Sequence, residues 1–355
     1  MNLIVPAAGK SSRFPGMRPK WLLTHPEGNI MAVQSILGLN TDDVGNIYLV
    51  VLKSHVEKYR CREGISRAFA EVGLLKKLQL VVLDEETRNQ PETVYRAIKK
   101  CQIEGPIFIK DTDNFFRCRM VPENSVATFD INDMDLVHAS NKSFVTTDEK
   151  GSISNIVEKQ VISSEFCVGG YSFADAQDFT EHFEGLSTKE SLYISHIIFD
   201  MMLAKKEFKT NAVEDYIDWG TLKEWNGFKS SYATIFIDLD GVLVRNSSAH
   251  FEPIWGTTEA IEDNVKIINN LYDTGKVKII ITTSRSSNFK DATLQQLKGL
   301  GIQYHQIIFD LLHGKRIVVN DYARSNPYKS CDSINISRDS SDLRSMIEDS
   351  LGMKV

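Results

Sequence analysis

Short apolar runs rich in β-branched residues recur in the first part of the chain, at Leu3–Val5, Ile47–Leu52, Leu78–Leu83 and Ile107–Ile109, with longer mixed segments between them. That alternation predicts a largely parallel sheet covered by helices. A second series opens at Thr234–Ile237, continues at Val277–Ile281 and ends at Ile317–Val319. Between the two series, Trp225–Ser231 carries an Asn-Gly and a Ser-Ser pair, which punctuate structure rather than continue it. The pattern predicts two α/β domains, residues 1–228 and 229–355. Within the second, Thr257–Leu271 reads as one amphipathic helix.

A chain of 355 residues with 42% hydrophobic and 25% charged residues is long enough for two cores. Its formal net charge of -6 gives no global attraction to nucleic acid or anionic lipid, so neither is an expected partner. A homo-oligomer stays open. The five cysteines, Cys61, Cys101, Cys118, Cys167 and Cys331, are odd in number and form no Cys-x-x-Cys pair, which suits idle thiols in a reducing compartment. No apolar run approaches the roughly 20 residues that span a bilayer, and Leu3–Val5 has no basic leader before it. The expected location is the cytoplasm.

Candidate chemistry begins where the first run meets Pro6-Ala7-Ala8-Gly9-Lys10-Ser11-Ser12-Arg13. Small residues let backbone N–H groups approach phosphate oxygens, and Arg13 and Lys20 add cations that offset repulsion between phosphates. The segment has neither the Gly-Lys-Ser/Thr ending of a Walker loop nor a Gly-x-Gly-x-x-Gly pattern.

Pro6–Leu23 resembles the signature of the sugar-phosphate nucleotidyltransferase family, Ala-Ala-Gly-x-Gly-Thr-Arg followed by Pro-Lys, with Ser11 in place of the second glycine. Five further segments resemble the family in order: Thr87–Val94, Asp111–Phe116, Val157–Gln160, Gly169–Phe173 and Asp218–Thr221. The resemblance covers nearly all of residues 1–225 and implies a GT-A-like, Rossmann-like nucleotidyltransferase fold. It implies nucleotide contacts from Ala7, Ala8, Gly9, Lys10, Ser11, Ser12 and Gln90, the last at a base edge. Acceptor contacts fall to Glu158, Lys159 and Gly170, Mg²⁺ ligands to Asp111, Asp113 and Asp218, and catalytic charge to Arg13 and Lys20.

Phe236–Leu243 delivers two carboxylates, Asp238 and Asp240, followed by Gly241, and resembles motif one of the haloacid dehalogenase superfamily. Thr283-Ser284-Arg285 and Asn320-Asp321 resemble its second and fourth motifs. The resemblance implies Asp238 as nucleophile, Asp240 as acid and base, Thr283 as the phosphoryl-holding hydroxyl, and Mg²⁺ on Asp238, Asp240 and Asp321. Lys315 or Arg316 fills the basic motif, with Lys315 chosen. About 40 residues between the first two motifs leave no room for a large cap, so the second domain is expected to be capless.

The joint expectation is a bifunctional enzyme. One domain joins a nucleoside triphosphate, with cytidine triphosphate preferred, to a phosphorylated acceptor of the sugar-phosphate kind and releases pyrophosphate. The other hydrolyses a phosphate monoester with Mg²⁺, in the supply of nucleotide sugars for surface polysaccharide. The alternative is a nucleotidyltransferase whose C-terminal domain is a non-catalytic regulatory or assembly module.

Overall fold

Leu3, Ile4 and Val5 are all fully buried, and alternate residues of this strand join two different cores. Ile4, Val50 and Leu52 face one core; Leu3, Val5, Leu49 and Val51 face the other. A strand covered on both faces explains why these runs are continuously apolar rather than alternating. In the computed structural model the first four runs form β1 (Asn2–Pro6), β2 (Asn46–Leu52), β3 (Leu78–Leu83) and β4 (Ile107–Lys110). All of their mutual pairings are parallel. The structure describes every residue except 10, 12, 135–140, 190, 322–329, 352, 353 and 355.

Beyond β4 come β5 (Asn114–Arg117), β6 (Ser125–Asp130), β7 (Ser143–Thr147), β8 (Ile153–Glu158), β9 (Glu165–Phe173), β10 (Lys209–Ala212) and β11 (Glu214–Asp218). The nine-stranded sheet runs β10-β6-β9-β4-β1-β2-β3, with β7 beside β9 and β8 beside β7. β9 is antiparallel to both β4 and β6, which corrects the expectation of a largely parallel sheet. The connection from β7 to β8 is too short for a crossover helix, so these two strands pair as an antiparallel hairpin, and β7 also pairs antiparallel with β9. β5 and β11 form a separate antiparallel ribbon.

The chain divides into two compact units, Met1–Trp225 and Asn226–Val355, and the division falls inside the helix Leu222–Ser230. In the second unit β12 (Ala233–Asp238), β13 (Val277–Thr282) and β14 (Gln306–Ile308) make a parallel three-stranded sheet in that order. Its own core gathers Ile237, Leu239, Ile268, Ile279, Ile281 and Leu297.

Two expectations for the second unit need correction. The helix begins at Glu262 and ends at Asp273, leaving Thr257–Ile261 outside it. Ile317–Val319 forms no strand, and its side chains are 76%, 63% and 90% exposed. A three-residue run becomes a strand only where a neighbour accepts its backbone groups. Here the flanking Arg316 reaches Asp238, and the flanking Asn320 donates to Ser330.

All five cysteines are free thiols. Among the described residues no helix is long and apolar enough to cross a membrane.

Candidate active site

The ribbon of β5 and β11 sets Asp218 opposite Asn114, one residue beyond Asp113. The Trp219 amide donates to the Asp113 carbonyl at 2.8 Å, and the Gly220 amide to Asp218 Oδ1 at 2.8 Å. The Lys20 ammonium sits on Asp113 Oδ2, with Arg13 3.6 Å from the same oxygen. Lys142 sits on Asp218 Oδ2 and donates to the Tyr216 hydroxyl at 2.7 Å. A Cβ on Gly220 would lie 2.9 Å from Asp218 Oδ1 and 3.5 Å from both Asp113 Oδ2 and Arg13 Nη1. Charged groups from distant parts of the sequence therefore converge over one glycine.

Burial by itself would raise the pKa of Asp113, but the charges of Lys20 and Arg13 outweigh it and hold the carboxyl well below its usual range. Asp111 goes the other way: burial, reinforced by the Asp113 charge, raises it to about 6. Lys110 is fully buried beside them and lowered to about 8 by that burial, against the pull of Asp111 and Asp113. Its ammonium donates to the carbonyls of Asp111 and Asn114 at 2.9 and 3.0 Å and to the Asn114 side chain.

Asp111 lies within reach of the Asp113 charge and has partners of its own. It receives the Gln90 amide on Oδ1, and a Cβ on Gly169 would come within 2.5 Å of its Oδ2. Gly169 has φ +83°, so both backbone and space require glycine there. Among the described residues no three Asp, Glu, His or Cys side chains converge on a metal position. Hard carboxylate oxygens at Asp113 and Asp218 still suit Mg²⁺.

In the loop after β1, the Ala7 amide is committed to the Val50 carbonyl at 2.8 Å and so is not free for a phosphate. Ala8 is buried, whereas Gly9 is exposed and would have nothing within 4 Å of an added Cβ. Ser11 adopts φ +51°, the region where glycine is at ease, and its hydroxyl accepts from the Lys20 amide at 3.0 Å. Lys10 and Ser12 lie outside the described residues. Gln90 opens the helix Gln90–Cys101 and donates its amide to Asp111. Asn89 caps that helix by accepting from the Glu92 amide at 2.9 Å.

At the end of β8, Glu158 accepts from Ser195 at 2.7 Å and from Ser143, while Lys159 donates to the Tyr193 hydroxyl and lies 4.3 Å from that ring's centroid. Gly170 serves packing: an added Cβ would meet Phe116, Ala127 and Phe108 at 2.7 to 2.9 Å. Its neighbour Gly169, like Gly220, has its Cβ direction toward a site carboxylate. Lys142, Tyr216, Lys110, Tyr193 and Ser195 were not singled out by the sequence. Tyr216 shares a strand with Asp218 two residues on, and that spacing was the one available signal.

In the second unit β12 and β13 pair Asp238 with Thr282. Asp238 meets Arg316 at 2.9 Å, and it is Arg316, not Lys315, that makes this contact. Arg285, fully buried, donates to both oxygens of Asp240 at 2.8 Å each and also to Thr293 and Gln296. Ser247 adds a hydrogen bond to Asp240 at 2.7 Å. The Thr283 hydroxyl is buried and accepts from the Arg285 amide at 3.1 Å. Asp321 is exposed and joins no metal-type cluster with Asp238 and Asp240 among the described residues, because the strand expected to carry it does not form.

No protein-family profile matches the chain, and no curated protein matches it either. Solved structures do. A nucleoside-diphosphate-sugar pyrophosphorylase from Vibrio cholerae RC9 matches with TM-score 0.54 and 21% identity, over 64% of this chain and 98% of that one. The inositol-1-phosphate CTP transferase from T. maritima matches with TM-score 0.51 and 15% identity, over 63% and 90%. The N-terminal part of the chain therefore has the fold of sugar-phosphate nucleotidyltransferases.

Proposed function

We propose that residues 1–225 transfer a nucleotidyl group from a nucleoside triphosphate to a phosphorylated acceptor of the sugar-phosphate class, releasing pyrophosphate. The observation that carries this reading is the convergence of Asp113 and Asp218, with Lys20, Arg13 and Lys142 on them. In the reaction an acceptor phosphate oxygen attacks the α-phosphorus, and no side-chain nucleophile is needed. Arg13 and Lys20 offset repulsion between the two phosphorylated substrates and the charge building on the departing pyrophosphate. Asp113 and Asp218 would hold Mg²⁺, which neutralises phosphate oxygens. Glu158 would hold acceptor hydroxyls and Lys159 the acceptor phosphate. Cytidine triphosphate is the donor we favour, the nucleotide named for the T. maritima enzyme.

Pyrophosphate release should be measured for the four triphosphates against a panel of phosphorylated acceptors, with Asp113→Asn as background. If no pair exceeds that background, the reading fails.

For residues 226–355 we propose Mg²⁺-dependent phosphate ester hydrolysis with Asp238 as nucleophile, supported by its position at the C-terminal end of a parallel strand. Such a pairing of activities suits the supply of nucleotide sugars for surface polysaccharide. The alternative, a non-catalytic regulatory or assembly module, is favoured by the capture of both Asp240 oxygens by Arg285. Phosphate release from a broad panel of esters, lost in Asp238→Asn, decides between the two.

A further inference from the structure

We propose that Lys142 is a displaceable counter-ion of the transferase site, one that covers Asp218 until a triphosphate arrives to take the lysine and free the carboxylate for a divalent cation. The inference rests on the reading that Asp113 and Asp218 hold that cation.

The two carboxylates are treated alike by the fold. Lys20 covers Asp113 and Lys142 covers Asp218, each through the carboxylate's Oδ2. The side chains of Lys142 and Asp218 are 16% and 15% exposed, close to the 19% and 14% of Lys20 and Asp113. Lys142 also has a seat of its own. Its ammonium donates to Tyr216 Oη at 2.7 Å and lies 5.3 Å from the Tyr216 ring centroid and 5.9 Å from that of Phe166. An ammonium beside two aromatic rings is partly stabilised without a full counter-charge.

Asp218 does not need the lysine to hold its place. The Gly220 amide donates to its Oδ1, and the pairing with Asn114 fixes its backbone. What the lysine supplies is charge. With Lys20, Lys142 and Arg13 already on two carboxylates, a divalent cation arriving alone must compete with these charges for the same oxygens. A triphosphate supplies several anionic oxygens as new partners for those groups. Cation and triphosphate then strengthen each other's binding, and the coupling runs equally in both directions. Lys20 belongs to the catalytic set already described; Lys142, on the stretch just before β7, is the new member.

Mn²⁺ binding to the full-length protein, followed by electron paramagnetic resonance, tests this without relying on turnover. Lys142→Met should bind Mn²⁺ alone at least fivefold more tightly than wild type, Lys142→Arg should match wild type, and Asp218→Asn should lose the site. Inorganic tripolyphosphate should tighten Mn²⁺ binding in wild type and do so less in Lys142→Met. Pyrophosphate release by Lys142→Met should fall at least tenfold. Should Lys142→Met fail to fold, Lys142→Gln, which keeps a donor for Tyr216, gives the same comparison. Mn²⁺ affinity unchanged or weakened in the folded variant overturns the role of Lys142 alone. Failure of wild type to bind Mn²⁺ even with tripolyphosphate overturns the cation reading of Asp113 and Asp218, and this inference with it.

Discussion

Asp113 and Asp218 meet because β11 returns along β5, with the Trp219 amide bonded to the Asp113 carbonyl at 2.8 Å. Neither residue owes its place to the nine-stranded sheet directly, so removing a carboxylate should leave the fold standing. Asp113→Asn should lower pyrophosphate release at least a hundredfold, about 2.7 kcal/mol of barrier, with the melting temperature held. Steady-state assays beside thermal melts check it; full turnover in the variant would return Asp113 to a structural role.

Gly220 is the point over which the charged groups converge. Gly220→Ala would push a methyl group to 2.9 Å from Asp218 Oδ1, the oxygen that the Gly220 amide itself holds. Turnover should drop ten- to a hundredfold, about 1.4 to 2.7 kcal/mol, while denaturant midpoints change little. Wild-type kinetics in this variant would mean that Asp218 can move without consequence.

His25 lies beside Trp219 and Trp225, at 5.3 and 6.2 Å between ring centroids, and burial lowers its pKa to about 4, against a smaller opposing pull from Glu27. The unfolded chain therefore takes up a proton between pH 6.5 and about 4 that the folded chain refuses. Stability contributed by neutral His25 is present above that window and is lost as pH falls through it. In urea titrations across this range, His25→Gln should show a shallower loss of stability than wild type. Equal slopes would assign the acid sensitivity elsewhere.

Asp238 and Asp240 of the second unit should behave oppositely. Asp238 pairs with Arg316 at a site where both side chains are well exposed, so Asp238→Asn should cost under about 1 kcal/mol of stability. It should abolish any phosphate release. Asp240→Asn would strip the charge partner from the fully buried Arg285 and should destabilise by about 3 to 5 kcal/mol. Chemical denaturation of both variants reads the contrast directly. A stable Asp240→Asn would show that Thr293 and Gln296 suffice for the arginine.

The strands β1 to β4 were legible because burial on both faces leaves an unbroken apolar run, as at Leu3–Val5. The turn to antiparallel pairing was not, since β9 is as continuously apolar as the parallel strands and its residues carry no mark of direction. Departures from the resembled signature proved readable afterwards. Ser11 takes up a left-handed backbone of the kind glycine favours, and Asn89 caps a helix. Lys110 and Lys142 were invisible because a lysine in sequence reads as surface, and only the fold shows that one is buried and the other covers a carboxylate. In the second unit Ile317–Val319 had a strand's composition but gained no neighbour, and Asp321 went with it.

All nine strands of the large sheet lie within the first 212 residues, whereas Asp218 arrives on β11, which pairs only with β5. During synthesis the scaffold is thus fully encoded before the second carboxylate leaves the ribosome. Scaffold and candidate site mature in sequence: the strands of the sheet precede the ribbon that sets the second carboxylate beside the first.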